Sequence, residues 1–273
     1  MRFGVYVPTA GEYDVATIAG LAREAEDLGW DGMFVWDNIL ATFDGTGILV
    51  DTTVALAAIA LATQRIHFGP LVTPLARRRP WKVAKEMATL DHLSGGRLIF
   101  GVGYGGSWDF APLGELPPGP ARASMLDEAL HLVTAFWTGD DVHHRGEHFT
   151  VDGARMVPAP IQRPRIPIWT AGYWPGAAPF QRAARWDGIA PLRQGHLFQG
   201  LNPTDLAECL AYVRSYRESD EPFDVVSFHT DPRRQYSVAE YEAAGATWWL
   251  ESTNPVEESL AAFRSRIARG PPR

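Results

Sequence analysis

Ile66–Gly106 reads IHFGPLVTPLARRRPWKVAKEMATLDHLSGGRLIFGVGYGG, and this stretch decides the fold. It parses as strand, loop, helix, turn, strand. Ile66, Phe68 and Leu71-Val72 form a short apolar run that stops at Pro74. Arg77-Arg78-Arg79-Pro80 is too polar and too broken for a strand. Trp81, Ala84, Met87, Ala88 and Leu90 then recur at helical spacing. Ser94-Gly95-Gly96 closes that helix, as glycine past the last turn does. Leu98–Val102 is a second buried run that opens into Gly103-Tyr104-Gly105-Gly106. Two buried strands joined by a helix make a parallel βαβ unit. Both strands then release their C-terminal ends on one side of the sheet.

The same alternation continues in both directions. Strands are expected at Phe3–Val7, Met33–Trp36, Ile166–Thr170, Gly188–Pro191, Phe223–Phe228 and Thr247–Leu250. Helices are expected from Asp14 to Leu28, from Asp51 or Thr52 to Ala62, and over Arg122–Trp137, Ala178–Arg185, Val238–Ala244 and Val256–Ala268. One more runs from a cap at Thr204 or Asp205 to Arg217. His143–Met156 reads as a hairpin turning at Asp152-Gly153. Residues 107–120, SWDFAPLGELPPGP, hold four prolines and read as a loop. Eight strands each followed by a helix predict a single (β/α)8 TIM barrel over residues 1–273, with loop insertions in the region after strands 4 and 5. An open doubly wound sheet is the rival. Its GxGxxG turn should follow the first strand, and Val7-Pro8-Thr9-Ala10-Gly11 does not supply it.

Bulk properties narrow the function. The chain has 273 residues, 46% of them hydrophobic, and a formal charge of −7 with both signs interspersed. The absence of a long basic run argues against nucleic acid. Cys209 is the only cysteine, so no disulfide forms within the chain, and a reducing cytoplasmic setting is expected. No apolar run approaches the roughly 20 residues that span a bilayer. MRFGVYVPT is too short and broken for a secretory signal. The lysines, Lys82 and Lys85, both sit on the third helix, which argues against Schiff-base chemistry at a strand end.

In a barrel, chemistry sits at the C-terminal ends of the strands. That rule sets aside Asp31, Asp91, His92 and Arg97, which lie near the opposite turns. His143, His144 and His148 fit no strong ligand spacing, and no metal site is expected. The chemical face keeps Pro8-Thr9, Asp37-Asn38, Thr73-Pro74 with Arg77–Arg79, Gly103–Gly106, Ala171-Gly172-Tyr173-Trp174, Pro191–Arg193 and Phe228-His229. Two glycine-rich turns let backbone N–H groups approach an anion. Tyr104, Trp108, Tyr173 and Trp174 add flat aromatic surface. Together they point to a phosphate-bearing ligand with a large ring.

Three segments carry a family resemblance: LGWDGMFVWDN (28–38), GPLVTPLARRRPWKVAKEMATLDHLSGGRLIFGVGYG (69–105) and RIPIWTAG (165–172). Over about residues 1–190 the chain resembles the bacterial luciferase-like superfamily of flavin- and deazaflavin-dependent oxidoreductases. The resemblance implies reduced FMN or coenzyme F420 in the barrel mouth. It implies a bulge after the third strand with a non-prolyl cis peptide preceding Leu71. It places Pro70, Leu71 and Thr73 beside the ring, and Gly103, Tyr104, Gly105, Gly106, Ala171, Gly172, Tyr173 and Trp174 around the ring and phosphate. Asp37 and Asn38 take the catalytic positions. Many relatives have histidine after the aspartate. Asparagine can donate and accept hydrogen bonds but cannot titrate near neutral pH, so it is not a general base. The leading expectation is a monooxygenase using reduced FMN, delivered by a separate flavin reductase, and oxygen on a small organic substrate. The alternatives are F420-dependent hydride transfer and a catalytically degenerate flavin binder. Residues 107–120 are expected to act as a lid. A homodimer is expected from the resemblance alone.

Overall fold

The computed structural model describes residues 1–40, 48–115, 119–196, 199–230, 233 and 235–272. Strands β1 (Arg2–Val7), β2 (Ala10–Gly11), β3 (Gly32–Val35), β4 (Ile48–Leu49), β5 (His67–Pro70), β6 (Thr73–Pro74) and β7 (Phe100–Gly103) form the first half. Strands β8 (Asp141–Arg145), β9 (Thr150–Arg155), β10 (Ile168–Trp174), β11 (Gly188–Arg193), β12 (Asp224–His229) and β13 (Trp248–Ser252) follow. The helices are α1 (Val15–Asp27), α2 (Thr52–Ala62), α3 (Pro80–Ser94), α4 (Ser107–Phe110), α5 (Gly119–Phe136), α6 (Ala177–Ala183), α7 (Pro203–Arg214), α8 (Val238–Ala243) and α9 (Leu260–Ile267).

The large sheet runs β5-β3-β1-β13-β12-β11-β10-β7-β6, with parallel pairing throughout. These nine segments are the eight strands of a (β/α)8 barrel. The third strand is split in two: β5 pairs with β3, and β6 pairs with β7. A bridge from Phe68 to Leu98 closes the ring. Closure brings two backbones very near. A Cβ on Gly69 would lie 1.8 Å from the Ile99 carbonyl oxygen, so no side chain fits there.

Period-two alternation sorts the core into two layers. Phe34, Leu71, Ile99, Trp169, Val226, Trp248 and Leu250 fill the lumen. A larger layer packs the helices against the outside of the barrel, where Ile18, Leu21, Ala22 and Ala25 of α1 are buried. Trp248 and Trp249 therefore face opposite ways. Trp248 meets Phe34 and Trp169 inside, with ring centroids 5.6 and 5.3 Å away, while Trp249 stacks on His229 outside.

Polar staples close the bottom turns. Asp31 accepts from the Phe3 amide, and Asp91 accepts from the amides of Ile161 and Gln162. Arg97 is buried and donates to the carbonyls of Ala60, Thr63, Ile66 and Ser94 and to the Thr63 hydroxyl. Asp14 and Asp51 cap α1 and α2 as expected.

Several expected boundaries shift. The strand expected to end at Thr170 continues to Trp174, because β11 pairs with it as far as Arg193. Asn202, with Pro203 in the first turn, caps α7 in place of Thr204 or Asp205. The last helix begins at Leu260, capped by Ser259. The hairpin turns at residues 146–149, where the Gly146 amide bonds the Phe149 carbonyl. Gly153 instead lies within β9 at φ 72°, and the register slips between Val142 and His143. Of the stretch expected as a loop, residues 107–115 hold α4 and a 3₁₀ turn at Ala111–Leu113, α5 starts at Gly119, and residues 116–118 lie outside the described residues. His143, His144 and His148 each pair locally, with Asp152, Glu128 and Ser124. Among the described residues no helix is long and apolar enough to cross a membrane.

Candidate active site

A cavity of about 1090 Å3, part of it open to solvent, occupies the C-terminal mouth of the barrel. Its floor is the top of the lumen core: Tyr6, Leu71, Ala190 and Phe228. Trp36, Tyr104, Trp108 and Tyr173 stand around it, and Gly103, Gly105, Gly106, Ala171 and Gly172 supply bare backbone between them. Its carboxylates are Asp37 and Asp109 and its amide is Asn38, beside the tyrosines Tyr6, Tyr104 and Tyr173.

Asp37 follows β3, so strand direction alone delivers it to the mouth. It is half-buried, and that burial pushes its carboxyl above the usual carboxylate range. Contacts with Arg78, Thr73 and Thr52 oppose the shift without cancelling it. The Arg78 guanidinium lies 3.5 Å from Oδ2, and the Thr73 hydroxyl donates to the same oxygen at 2.7 Å. Thr73 thus orients Asp37 and does not itself line the cavity.

Asn38 is turned so that its Nδ2 donates to the Leu40 carbonyl. That bond fixes which end of the amide is which. Its Oδ1 is buried and accepts no hydrogen bond among the described residues.

Asp109 ties three loops together. It accepts from the amides of Ile39 and Leu40 at 3.0 and 2.7 Å and from Arg77 Nη1 at 2.5 Å. Arg77 also reaches Glu115 and lies 3.9 Å over the Phe110 ring. Arg78 reaches Glu86 at 2.6 Å. Of the arginine cluster, a candidate for phosphate contact from sequence, Arg77 and Arg78 are committed to these carboxylates, and none of the three lines the cavity. Arg79 is exposed at the start of α3.

The glycine turn after β7 is held from behind. Arg122 donates to the Gly105 carbonyl at 3.0 Å, with its guanidinium 5.2 Å from the centre of the Tyr104 ring. Gly105 has φ 79°, and a Cβ there would sit 2.3 Å from the Phe110 ring, so the turn requires glycine. The non-prolyl cis peptide is the Leu71-Val72 bond, one residue beyond the bond expected from the resemblance. The shift follows from pairing: β5 keeps its register with β3 through Val35–Pro70, and the Leu71 amide still bonds the Val35 carbonyl. The chain can depart from the ladder only after Leu71.

Asp37, Asn38, Leu71, Gly103, Tyr104, Gly105, Gly106, Ala171, Gly172 and Tyr173 therefore meet around one space. Pro70 and Trp174 do not join them. Pro70 is buried in β5, and Trp174 packs outward on Phe180 and Tyr212, with centroids 5.1 and 5.8 Å away. Tyr6, Trp36, Val72 and Asp109 were not singled out from sequence. Tyr6 had a readable signal, since Val5 and Val7 alternate with it on β1 and leave Tyr6 to face inward near the strand end. Its hydroxyl donates to the Leu71 carbonyl at 2.5 Å, and burial holds its pKa above the ordinary tyrosine value. It stays protonated and acts as a donor.

Tyr104 and Tyr173 also border a second space of about 1010 Å3, lined by Gly176–Pro179 and Gln194–His196. This space contains histidine and no carboxylate among its lining residues.

The sequence profile of the luciferase-like monooxygenases matches residues 1–230. The chain belongs to this family of oxidoreductases. An F420-dependent glucose-6-phosphate dehydrogenase of Nakamurella multipartita is 32% identical over 179 residues, 65% of this chain and 52% of that one. The chain spans about half the length of the curated relatives it matches. Its fold matches that of an F420-dependent secondary alcohol dehydrogenase solved with an F420-acetone adduct, with TM-score 0.76, 18% identity, and 98% and 99% of the two chains covered. It also matches a monooxygenase from Streptomyces bottropensis, with TM-score 0.68, 23% identity, and 83% and 70% covered. These two likenesses are of fold.

Proposed function

We propose that this chain is an F420-dependent oxidoreductase that moves a hydride between the deazaflavin and a carbinol or carbonyl carbon of a small substrate. The sequence similarity to an F420-dependent dehydrogenase carries this reading. The site fits such a group. The wide aromatic cavity with its bare glycine turn accepts a flat ring, and the adjoining carboxylate-free space accepts a charged tail. Leu71, Val72, Tyr104 and Tyr173 would hold the ring, and Gly176–Pro179 with Gln194–His196 the tail.

F420, when bound, would supply the hydride acceptor, and Asp37 would take up the hydroxyl proton of the carbinol as it becomes a carbonyl. Asp37 suits that task, because its raised pKa brings proton affinity closer to neutral pH. Thr73 and Arg78 hold the carboxylate in place. Tyr6 anchors the Leu71 backbone under the ring position. The aromatic wall and the Asp109-clamped loops exclude water.

The use of reduced FMN and oxygen, expected first from the sequence, has less behind it, since the dehydrogenase similar in sequence is an F420 enzyme by name. Paired titrations of the cofactor-free protein decide between them. F420 is expected to bind tightly and reduced FMN, added anaerobically, weakly. The opposite order, with a peroxyflavin absorbance on admitting oxygen, would restore the monooxygenase reading. Binding of neither below about 100 μM, roughly −5.5 kcal/mol, would end the cofactor assignment.

A further inference from the structure

We infer that the substrate of this site is an uncharged, largely apolar alcohol or ketone, and that the mouth of the barrel rejects sugar phosphates. The turnover part rests on the F420 reading above; the binding part stands without it.

The argument is an inventory of charge. Two carboxylates, Asp37 and Asp109, line the cavity, and no lysine, arginine or histidine does so among the described residues. Two guanidiniums beside the cavity are already shared. Arg77 lies between Asp109 and Glu115, at 2.5 and 3.0 Å, and Arg78 between Glu86 and Asp37, at 2.6 and 3.5 Å. Arg77 and Arg78 thus already face carboxylates, Arg79 lies exposed at the start of α3 and does not line the cavity, and Arg122 supports the Gly105 carbonyl from behind. Lys82 is paired with Glu86 on α3. Residues 41–47, ATFDGTG, contain no cationic side chain by sequence. A phosphate ester is recognised by bidentate arginine or by lysine, and the cavity lining offers neither among the described residues. The remainder of the lining is aromatic or aliphatic: Tyr6, Trp36, Leu71, Trp108, Leu192 and Phe228. Such a wall favours apolar bodies with one or two polar atoms. The second space, free of carboxylates, would take the charged tail of the cofactor, so that the ring and the substrate share the first.

The test uses the full chain, with and without saturating F420, and three probes: cyclohexanol, glucose and glucose 6-phosphate. Calorimetry gives binding, and loss of F420 absorbance gives turnover. Cyclohexanol is expected to bind in both states and to be oxidised. Glucose 6-phosphate is expected to bind at least about tenfold more weakly than glucose, a difference of about 1.4 kcal/mol that isolates the phosphate. Tighter binding of glucose 6-phosphate than of glucose, or its turnover, overturns the inference. So does a failure of cyclohexanol to bind in either state. If F420 does not bind but the order cyclohexanol, glucose, glucose 6-phosphate holds in the cofactor-free protein, the cofactor reading falls and the inference about charge stands.

Discussion

Asp37→Asn is expected to lower turnover at neutral pH by about 10²–10⁴-fold while leaving F420 affinity within a few-fold of the parent. The substitution keeps the shape of the side chain and its acceptor oxygen for Thr73, but removes the proton acceptor. The parent enzyme should gain alcohol-oxidising rate as pH rises through the titration of Asp37. Burial displaces that titration upward from the ordinary carboxylate range. The variant should show no such limb. Stability moves the other way. Because the folded state binds this proton more tightly than the unfolded chain does, Asp37 costs stability progressively as pH rises from the unfolded pKa through the folded one. Below both values it costs nothing. Asp37→Asn should therefore unfold at higher urea concentration than the parent at neutral pH, with the difference vanishing in acid. A pH–rate profile and urea melts at two pH values measure both effects. An unchanged pH limb in the variant would remove Asp37 from proton transfer.

Arg97→Ala is expected to destabilise the fold by about 3–5 kcal/mol, with no direct effect on the site. The guanidinium is buried at the bottom of the barrel and satisfies four carbonyls and one hydroxyl from three segments. Alanine leaves those acceptors buried without donors and opens a cavity beside Phe68, whose ring Arg97 faces at 5.5 Å. The urea midpoint should fall with the slope m unchanged. A loss below about 1 kcal/mol would mean that the turn around Ile66 holds without it, through the Glu26 carboxylate that already accepts from Gln64, Arg65 and Ile66.

The barrel was legible because buried parallel strands leave a strong mark: apolar runs of about five residues, each followed by a helix. The cavity was legible in outline for the same reason, since Asp37, Gly103–Gly106 and Ala171–Tyr173 all directly follow or end such runs. The misplacements share a cause, which is that register between strands is tertiary information. Pairing with β11 carries β10 through Trp174 and turns that ring outward, although a glycine-rich segment reads locally as a loop. Asp152-Gly153 looks like a hairpin turn, but the strand pair absorbs it as an irregularity. Asp109 was hidden in a proline-rich stretch with no periodicity, and only the folded loops show that it joins residues 39 and 40 to Arg77.

The split third strand gives the barrel a seam. Elsewhere in the ring the ladders range from six register pairs between β10 and β11 and five between β1 and β13 down to two between β11 and β12. Between β5 and β7 the lacing is the Phe68–Leu98 bridge, with the Phe68 amide bonding Arg97 and the Ile99 amide bonding Phe68. The short β6 takes over above it. The seam runs up beneath Leu71, under the ligand cavity. A wall stitched so lightly can part locally without unzipping a long ladder, so the Ile99 amide should exchange with solvent faster than that of Leu250, which sits in a ladder of comparable burial. Equal protection of the two would mean that close packing of Gly69 against Ile99 seals the joint as firmly as hydrogen bonds seal the rest.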